Sequence, residues 1–124
     1  MVRPIAIFSI GRAIMERNIN GKIVETDPEG YLVNLEDWSE ELAAELARED
    51  KLELAEDHWK IIHYMRTFYE QNGTAPNLRF LQKGLKEEYG SEWGEKKFLF
   101  DLFPFGPAKQ AGRYAGTPKP TGCV

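Results

Sequence analysis

Apolar residues recur at helical spacing through most of this chain, while its early part is governed by turn signals. Residues 13–33 read as a hairpin. The segments 13–18 and 22–26 flank Asn20-Gly21, a pair that tolerates positive φ at both centres of a tight two-residue turn. Asp27-Pro28-Glu29-Gly30 supplies a second turn, and Tyr31-Leu32-Val33 leads back toward the core. So small a hairpin needs a surface to pack on, and helices provide it. Asp37 and Ser39 are both N-cap candidates, with Glu40 placed as in a capping box opened by Asp37. Leu42 and Leu46 then mark a buried stripe, and Glu40, Glu41 and Glu45 face water. A second helix is predicted over 55–72, with Trp59, Ile62, Met65 or Arg66, and Tyr69 inward and Gly73 closing it.

Pro76 fits the first turn of a third helix, with Leu78, Leu81 and Leu85 inward and Gly90 at its end. Residues 96–103 predict a short helix so rich in Phe and Leu that burial between other helices is expected. Pro104 and Gly106 break it, Pro107 opens a last helix, and Gly116 stops that one. The pattern therefore predicts a mainly α protein: a small orthogonal helical bundle with an N-terminal β-hairpin over residues 1–116. Residues 117–124 are left as a mobile C-terminal arm without a packing role.

Composition narrows the class. A chain of 124 residues is most simply one domain with a small core. A net charge of −4 argues against a nucleic-acid-binding protein. A local basic side built from Arg66, Arg79, Lys83, Lys86, Lys96 and Lys97, with helices meeting at Gly90, would be the helix-turn-helix alternative. Orthogonal bundles contain such helix pairs for packing reasons alone, and the acidic run over 40–56 reads as a solvated face. No apolar run reaches the roughly 20 residues needed to cross a bilayer. The stretch from Ile5 to Ile10 is interrupted by Ser9, followed by Gly11 and Arg12, and lacks a clear cleavage site, so a removable signal is not expected. A single cysteine permits no intramolecular disulfide and points to a reducing compartment, the cytoplasm by default.

That cysteine, Cys123, is the penultimate residue of the sequence. A thiol on a chain end is placed to react with something outside its own domain. Pro118 and Pro120 favour extended backbone, while Gly116 and Gly122 act as pivots. Fully extended, residues 117–123 span about 20 Å, enough to enter a partner's cleft. The terminal carboxylate disfavours the thiolate and Lys119 partly offsets it, so Cys123 reads as a carrier whose partner supplies the activation. Lys109, Arg113 and Lys119 surround the root of the arm, placed to grip an anion or a partner's acidic rim. Lys109 and Arg113 equally suit the end of a short helix, where cations complement the dipole. His58 and His63 lie five apart on different helix faces with no second cysteine, so neither a metal site nor a cofactor is expected.

Several of these stretches together resemble one family. Gly30-Tyr31-Leu32 after an acidic turn, Trp38, His58-Trp59, Arg66 with Tyr69, Leu102-Phe103-Pro104, Gly106-Pro107-Ala108-Lys109-Gln110-Ala111 and Ala115-Gly116 are similar to the DsrC/TusE family. Pro118-Lys119-Pro120-Thr121-Gly122-Cys123-Val124 is the most specific part of that resemblance, which covers roughly residues 20 to 124; residues 1–18 look longer than the usual family start. It implies a hairpin-plus-bundle fold and a sulfurtransferase-type carrier that acts only with partner proteins, holding sulfur as a persulfide on Cys123. In the DsrC branch a second cysteine precedes the arm and the protein works with dissimilatory sulfite reductase. Here the matching position is Gly112. The TusE branch, which relays sulfur toward 2-thiolation of tRNA uridine, uses the penultimate cysteine alone. The resemblance thus implies a TusBCD- or DsrEFH-like donor protein and a protein acceptor. The alternatives are a sulfite reductase partner and a regulatory, single-cysteine paralogue.

Overall fold

The computed structural model describes residues 14–120, so the expectations for residues 1–13, for Gly122 and for Cys123 lie outside the described residues. Strands β1 (Met15–Ile19) and β2 (Lys22–Thr26) pair antiparallel, in register from Met15 opposite Thr26 to Ile19 opposite Lys22. Asn20 and Gly21 take φ of 54° and 88°, the left-handed pair that matches the twist of a tight hairpin. Ile19, Val24 and Thr26 are buried while Ile23 faces out, which fixes the register. Arg17 joins this ribbon to the bundle: its guanidinium donates to both carboxylate oxygens of Glu49 at 2.8 Å and also to the Thr26 hydroxyl.

A 3-10 turn at Leu35–Asp37 precedes the helices α1 (Glu40–Glu49), α2 (Glu56–Asn72) and α3 (Leu78–Tyr89). A second 3-10 turn, Ser91–Gly94, leads to α4 (Lys96–Leu102) and α5 (Pro107–Ala115). Of the two cap candidates Ser39 caps α1, its Oγ accepting from the Leu42 N–H at 3.1 Å. Asp37 is taken up by the preceding turn, which Asn34 caps.

Three expectations need correction. Pro76 lies ahead of α3 rather than in its first turn, because the Asn77 side chain accepts from the Phe80 N–H at 3.0 Å and sets the start there. The inward face of α2 is His58, Ile61, Ile62 and Met65, while Trp59 and Tyr69 are half-buried at its edge. His58 accounts for that rotation. Its Nδ1 accepts from the Ala55 N–H at 2.9 Å, so Nε2 carries the proton that it donates to the Leu102 carbonyl at 2.9 Å. The ring is thereby drawn inward, edge-on to Phe103. Finally, α4 is not buried on both sides. Only Leu99 is buried within it; Phe98 rests half-buried against Trp93, and Phe100 is exposed.

The core is drawn from α1, α2, α3 and the segment around Phe103, closing on α5. Leu42, Leu46, Ile61, Ile62, Met65, Leu81, Leu85, Leu99, Phe103 and Tyr114 are all fully buried. Among the described residues no helix is long and apolar enough to cross a membrane.

The Arg17 hydrogen bond, opposed by burial, holds the Glu49 carboxyl below its ordinary range. A depressed carboxylate contributes stability above the unfolded-state pKa and loses it as pH falls through the folded-state value. Glu49→Gln should therefore cost roughly 0.5–1 kcal/mol at neutral pH, as for a half-exposed ion pair. In urea denaturation the gap to wild type should close in acid, where both proteins lack the charge. A gap unchanged from neutral to acidic pH would show that the ion pair is not its source.

Candidate functional site

Helix α5 is the base on which the C-terminal segment is built. Pro107 occupies its first turn, where a missing N–H costs nothing. Pro107, Ala108, Gln110, Ala111, Gly112, Tyr114 and Ala115 are buried, so the helix runs through the bundle rather than over it. Its C-terminal carbonyls have no helical partner and need donors. Trp38 Nε1 donates to the Tyr114 carbonyl and Arg66 Nη1 to the Ala115 carbonyl, each at 2.8 Å. The Arg66 guanidinium also lies 3.9 Å from the centre of the Trp38 ring, a cation–π stack that keeps both donors in place. Gly116 ends the helix at φ 72°, and a Cβ there would stand 2.6 Å from Trp38 Cδ1.

The next residues do not leave the body. The Thr117 N–H bonds back to the Gly112 carbonyl at 3.1 Å, and Thr117 and Pro120 are both buried. The arm expected to have no packing role therefore begins as a seated strap over residues 117–120. The helix carbonyls and the Thr117 side chain hold it, and a sequence pattern does not display these. Gly112 lies beneath this strap: a Cβ there would sit 3.1 Å from Thr117 Oγ1, 3.2 Å from Met65 Cε and 3.9 Å from Pro120 Cδ.

A second network ties α5 to the turn before it and to α1. Gln110 Oε1 accepts from the Phe105 N–H at 2.8 Å, and Gln110 Nε2 donates to the Tyr114 hydroxyl at 2.8 Å. That hydroxyl donates to Asp50 Oδ2 at 2.5 Å, and Arg113 pairs with the same carboxylate. Burial pushes the Tyr114 phenol up, which keeps it a donor. Arg113 also donates to the Glu29 carbonyl at 3.2 Å, and its stem crosses Gly30, where a Cβ would stand 2.7 Å from Arg113 Cδ.

Lys109 and Arg113 line one cleft of about 270 Å³, together with Pro28, Glu29, Tyr31, Phe105 and Gln110. Lys119 reaches its rim and pairs with Glu29 at 3.0 Å. The three cations named from the sequence therefore meet around one acid, whose carboxyl is held below its ordinary range chiefly by the Lys119 hydrogen bond. They are not equivalent. Arg113 is committed to Asp50 and the hairpin turn, whereas Lys109 makes no ion pair among the described residues. The Tyr31 hydroxyl donates to the Lys109 carbonyl at 3.1 Å, and burial pushes that phenol up to about 12.

The remaining sequence candidates do not converge. His58 is structural, His63 stacks on Trp59 and stands 3.7 Å from Glu40, and among the described residues no group of side chains could hold a metal. Arg79, Lys83, Lys86, Lys96 and Lys97 are exposed but interspersed with Glu87, Glu88, Glu92 and Glu95, while Arg66 turns inward. Three features escaped the sequence reading as parts of the site: the Arg66–Trp38 stack, exposed Phe105, and Asp50 beneath Arg113. The first two involve aromatic residues whose spacing carries no signal of their role, and Asp50 is masked by the acidic run around it.

A hairpin-headed helical bundle whose buried last helix feeds a tail with one cysteine defines a class of small sulfur-handling proteins. The chain belongs to the DsrC-like family: the model described as "DsrC like protein" matches residues 18–124. It is 50% identical over 105 residues to sulfurtransferase TusE of Sodalis glossinidius, covering 85% of this chain and 97% of that one. To TusE of Escherichia coli it is 43% identical over 104 residues, covering 84% and 95%. The NMR structure of Allochromatium vinosum DsrC matches with a TM-score of 0.83 at 49% identity, covering 90% of this chain and 99% of that one. The crystal structure of the oxidised gamma-subunit of dissimilatory sulfite reductase from Archaeoglobus fulgidus matches with a TM-score of 0.77 at 43% identity, covering 89% and 100%.

Two glycine substitutions separate backbone strain from collision at the strap. Gly73 also has positive φ, 76°, but open space around it. Gly73→Ala should cost about 1 kcal/mol. Gly116→Ala adds the collision with Trp38 and should cost about 2–4 kcal/mol. Equal losses in chemical denaturation would mean that the Trp38 contact does not constrain the helix end.

Proposed function

We propose that this protein is a cytoplasmic sulfur carrier of the TusE type, which accepts sulfur on Cys123 and passes it to an acceptor protein on the way to 2-thiouridine in tRNA. The observation that carries the reading is the 43–50% identity to TusE proteins over most of the chain, joined to a sequence with one cysteine; the family resemblance implies that Gly112 stands where the DsrC branch has its second. The chemistry is thiol–disulfide-type exchange. The Cys123 thiolate attacks the outer sulfur of a donor persulfide, a new S–S bond forms to Cys123, and the old one breaks. The donor leaves as a thiolate, and Cys123 carries the persulfide with no net oxidation or reduction. No cofactor takes part in that exchange. The donor on this reading is a TusBCD-type relay complex. Lys109 and Lys119 serve partner docking, and Pro118 and Pro120 shape delivery.

The similarity to the gamma-subunit of a sulfite reductase favours a second reading, a partner of that enzyme. A two-thiol cycle is closed to a chain with one cysteine, which ranks it second.

After incubation with a persulfide-loaded relay complex, intact-protein mass spectrometry should show the gain of one sulfur atom, absent in Cys123→Ser. In cells lacking the gene, 2-thiouridine in tRNA should fall and be restored by wild type but not by Cys123→Ser. Normal thiouridine in the deletion strain, with co-purification of sulfite reductase, would replace the first reading by the second.

A further inference from the structure

The cleft beside the strap has an aromatic residue that the bundle does not use. Phe105 is 65% exposed, the most exposed of the large apolar side chains among the described residues. It is not loose. Phe103, two residues earlier, is fully buried. The Phe105 N–H is held by Gln110, itself 3% exposed and bonded onward to Tyr114. An aromatic ring carried on a fixed backbone position gives a binding surface its anchor with a reduced ordering cost.

Charge adds direction. The chain is acidic overall, at −4. Yet the cleft around Phe105 is lined by Lys109 and Arg113 with Glu29 as its one acid, and Lys119 pairs with that acid from the rim. A small anion would find little here, since Arg113 is occupied by Asp50 and Lys119 by Glu29. An acidic protein surface suits it better: it can displace exposed Glu29 from Lys119, meet Lys109, and receive the phenyl ring in an apolar slot. The cleft is also next to the strap. Lys119 of the strap pairs with Glu29 of the cleft, and Cys123 lies three residues past Pro120 in sequence, a reach of about 10 Å of extended chain.

We propose that the cleft framed by Phe105, Lys109 and Lys119 is the docking surface for the sulfur donor, which presents an acidic rim around an apolar slot. This rests on the carrier reading above and supplies what that reading lacks, a surface that brings the donor's persulfide within reach of Cys123. Phe105 and Lys109 act in recognition and touch no reacting atom.

The test compares two routes of loading in wild type, Phe105→Ala and Lys109→Glu. The first donor is purified, persulfide-loaded TusBCD-type complex; the second is inorganic polysulfide, which needs no docking. Phe105→Ala should slow transfer from the protein donor at least about tenfold, as for a central aromatic anchor. Lys109→Glu should slow it at low ionic strength and flatten its dependence on salt. Loading by polysulfide should be unchanged in both. Equal rates from the protein donor to wild type and Phe105→Ala overturn the proposal. So does a slowing by Lys109→Glu alone, which would mark a simple charge effect, or a homodimer that Phe105→Ala dissolves, which would assign the surface to a second copy of this chain. Polysulfide loading without any transfer from the complex overturns the docking inference and leaves the carrier reading standing. Failure of both routes removes the carrier reading as well.

Discussion

The C-terminal end of α5 is closed by two donors that hold each other. A buried helix end with unpaired carbonyls would cost on the order of 1–3 kcal/mol per group. Here Trp38 takes one carbonyl and Arg66 the next, and the guanidinium lies over the indole, 3.9 Å from the ring centre. Burial depresses the Arg66 pKa, yet guanidinium remains charged at any physiological pH. The charge is therefore permanent, and the stack does not depend on pH. Much of the surrounding sequence follows from it. Gly116 must carry no side chain because Trp38 occupies the space. The 3-10 turn at Leu35–Asp37 brings Trp38 across from the hairpin side, and Arg66 rises from the half-buried edge of α2. Three parts of the chain thereby fix the direction in which residue 117 departs.

The same helix has a second tether toward its start, and the two divide the labour. Gln110, Tyr114 and Asp50 form an internal hydrogen-bonded line that links the Phe105 turn to the end of α1. Arg113 closes it from outside and reaches the hairpin turn through the Glu29 carbonyl. Cations that look alike in the sequence thus separate by what they touch. Arg113 is spent on holding the hairpin, α1 and α5 together, and replacing it would disturb the fold before it disturbed recognition. Lys109 and Lys119 keep their charges on the surface.

Much of this was legible in the residues. Asn20-Gly21 fixed the hairpin because few pairs accept two successive positive φ values, and Gly73, Pro107 and Gly116 set helix ends for equally local reasons. Where local signals competed, tertiary contacts decided. Pro76 is compatible with a first turn, but Asn77 offers a side-chain acceptor and wins. The rotation of α2 could not be read from apolar spacing, since a buried histidine with two hydrogen bonds sets it. The packing of α4 does not follow from its composition, because phenylalanine density does not distinguish a core from a surface that presents rings. The strap over 117–120 was invisible for a different reason: Thr-Pro-Lys-Pro reads as tail until the Gly112 carbonyl and the Thr117 N–H are seen to meet.

On the carrier reading, one cysteine and a seated strap belong together. A persulfide is consumed by any thiol that reaches its inner sulfur, and a chain with a second cysteine near its arm can resolve its own cargo. This sequence has no such thiol. Gly112 instead gives the strap room to lie close, with Thr117 Oγ1 and Met65 Cε against the face a side chain would fill. The bundle therefore contributes position rather than reactivity. It anchors the chain as far as Pro120, leaves the thiol three residues further on, and sets a cationic, aromatic cleft beside the anchor. On that reading chemistry at Cys123 waits on a partner, and the cleft beside the anchor is the surface we propose for its docking.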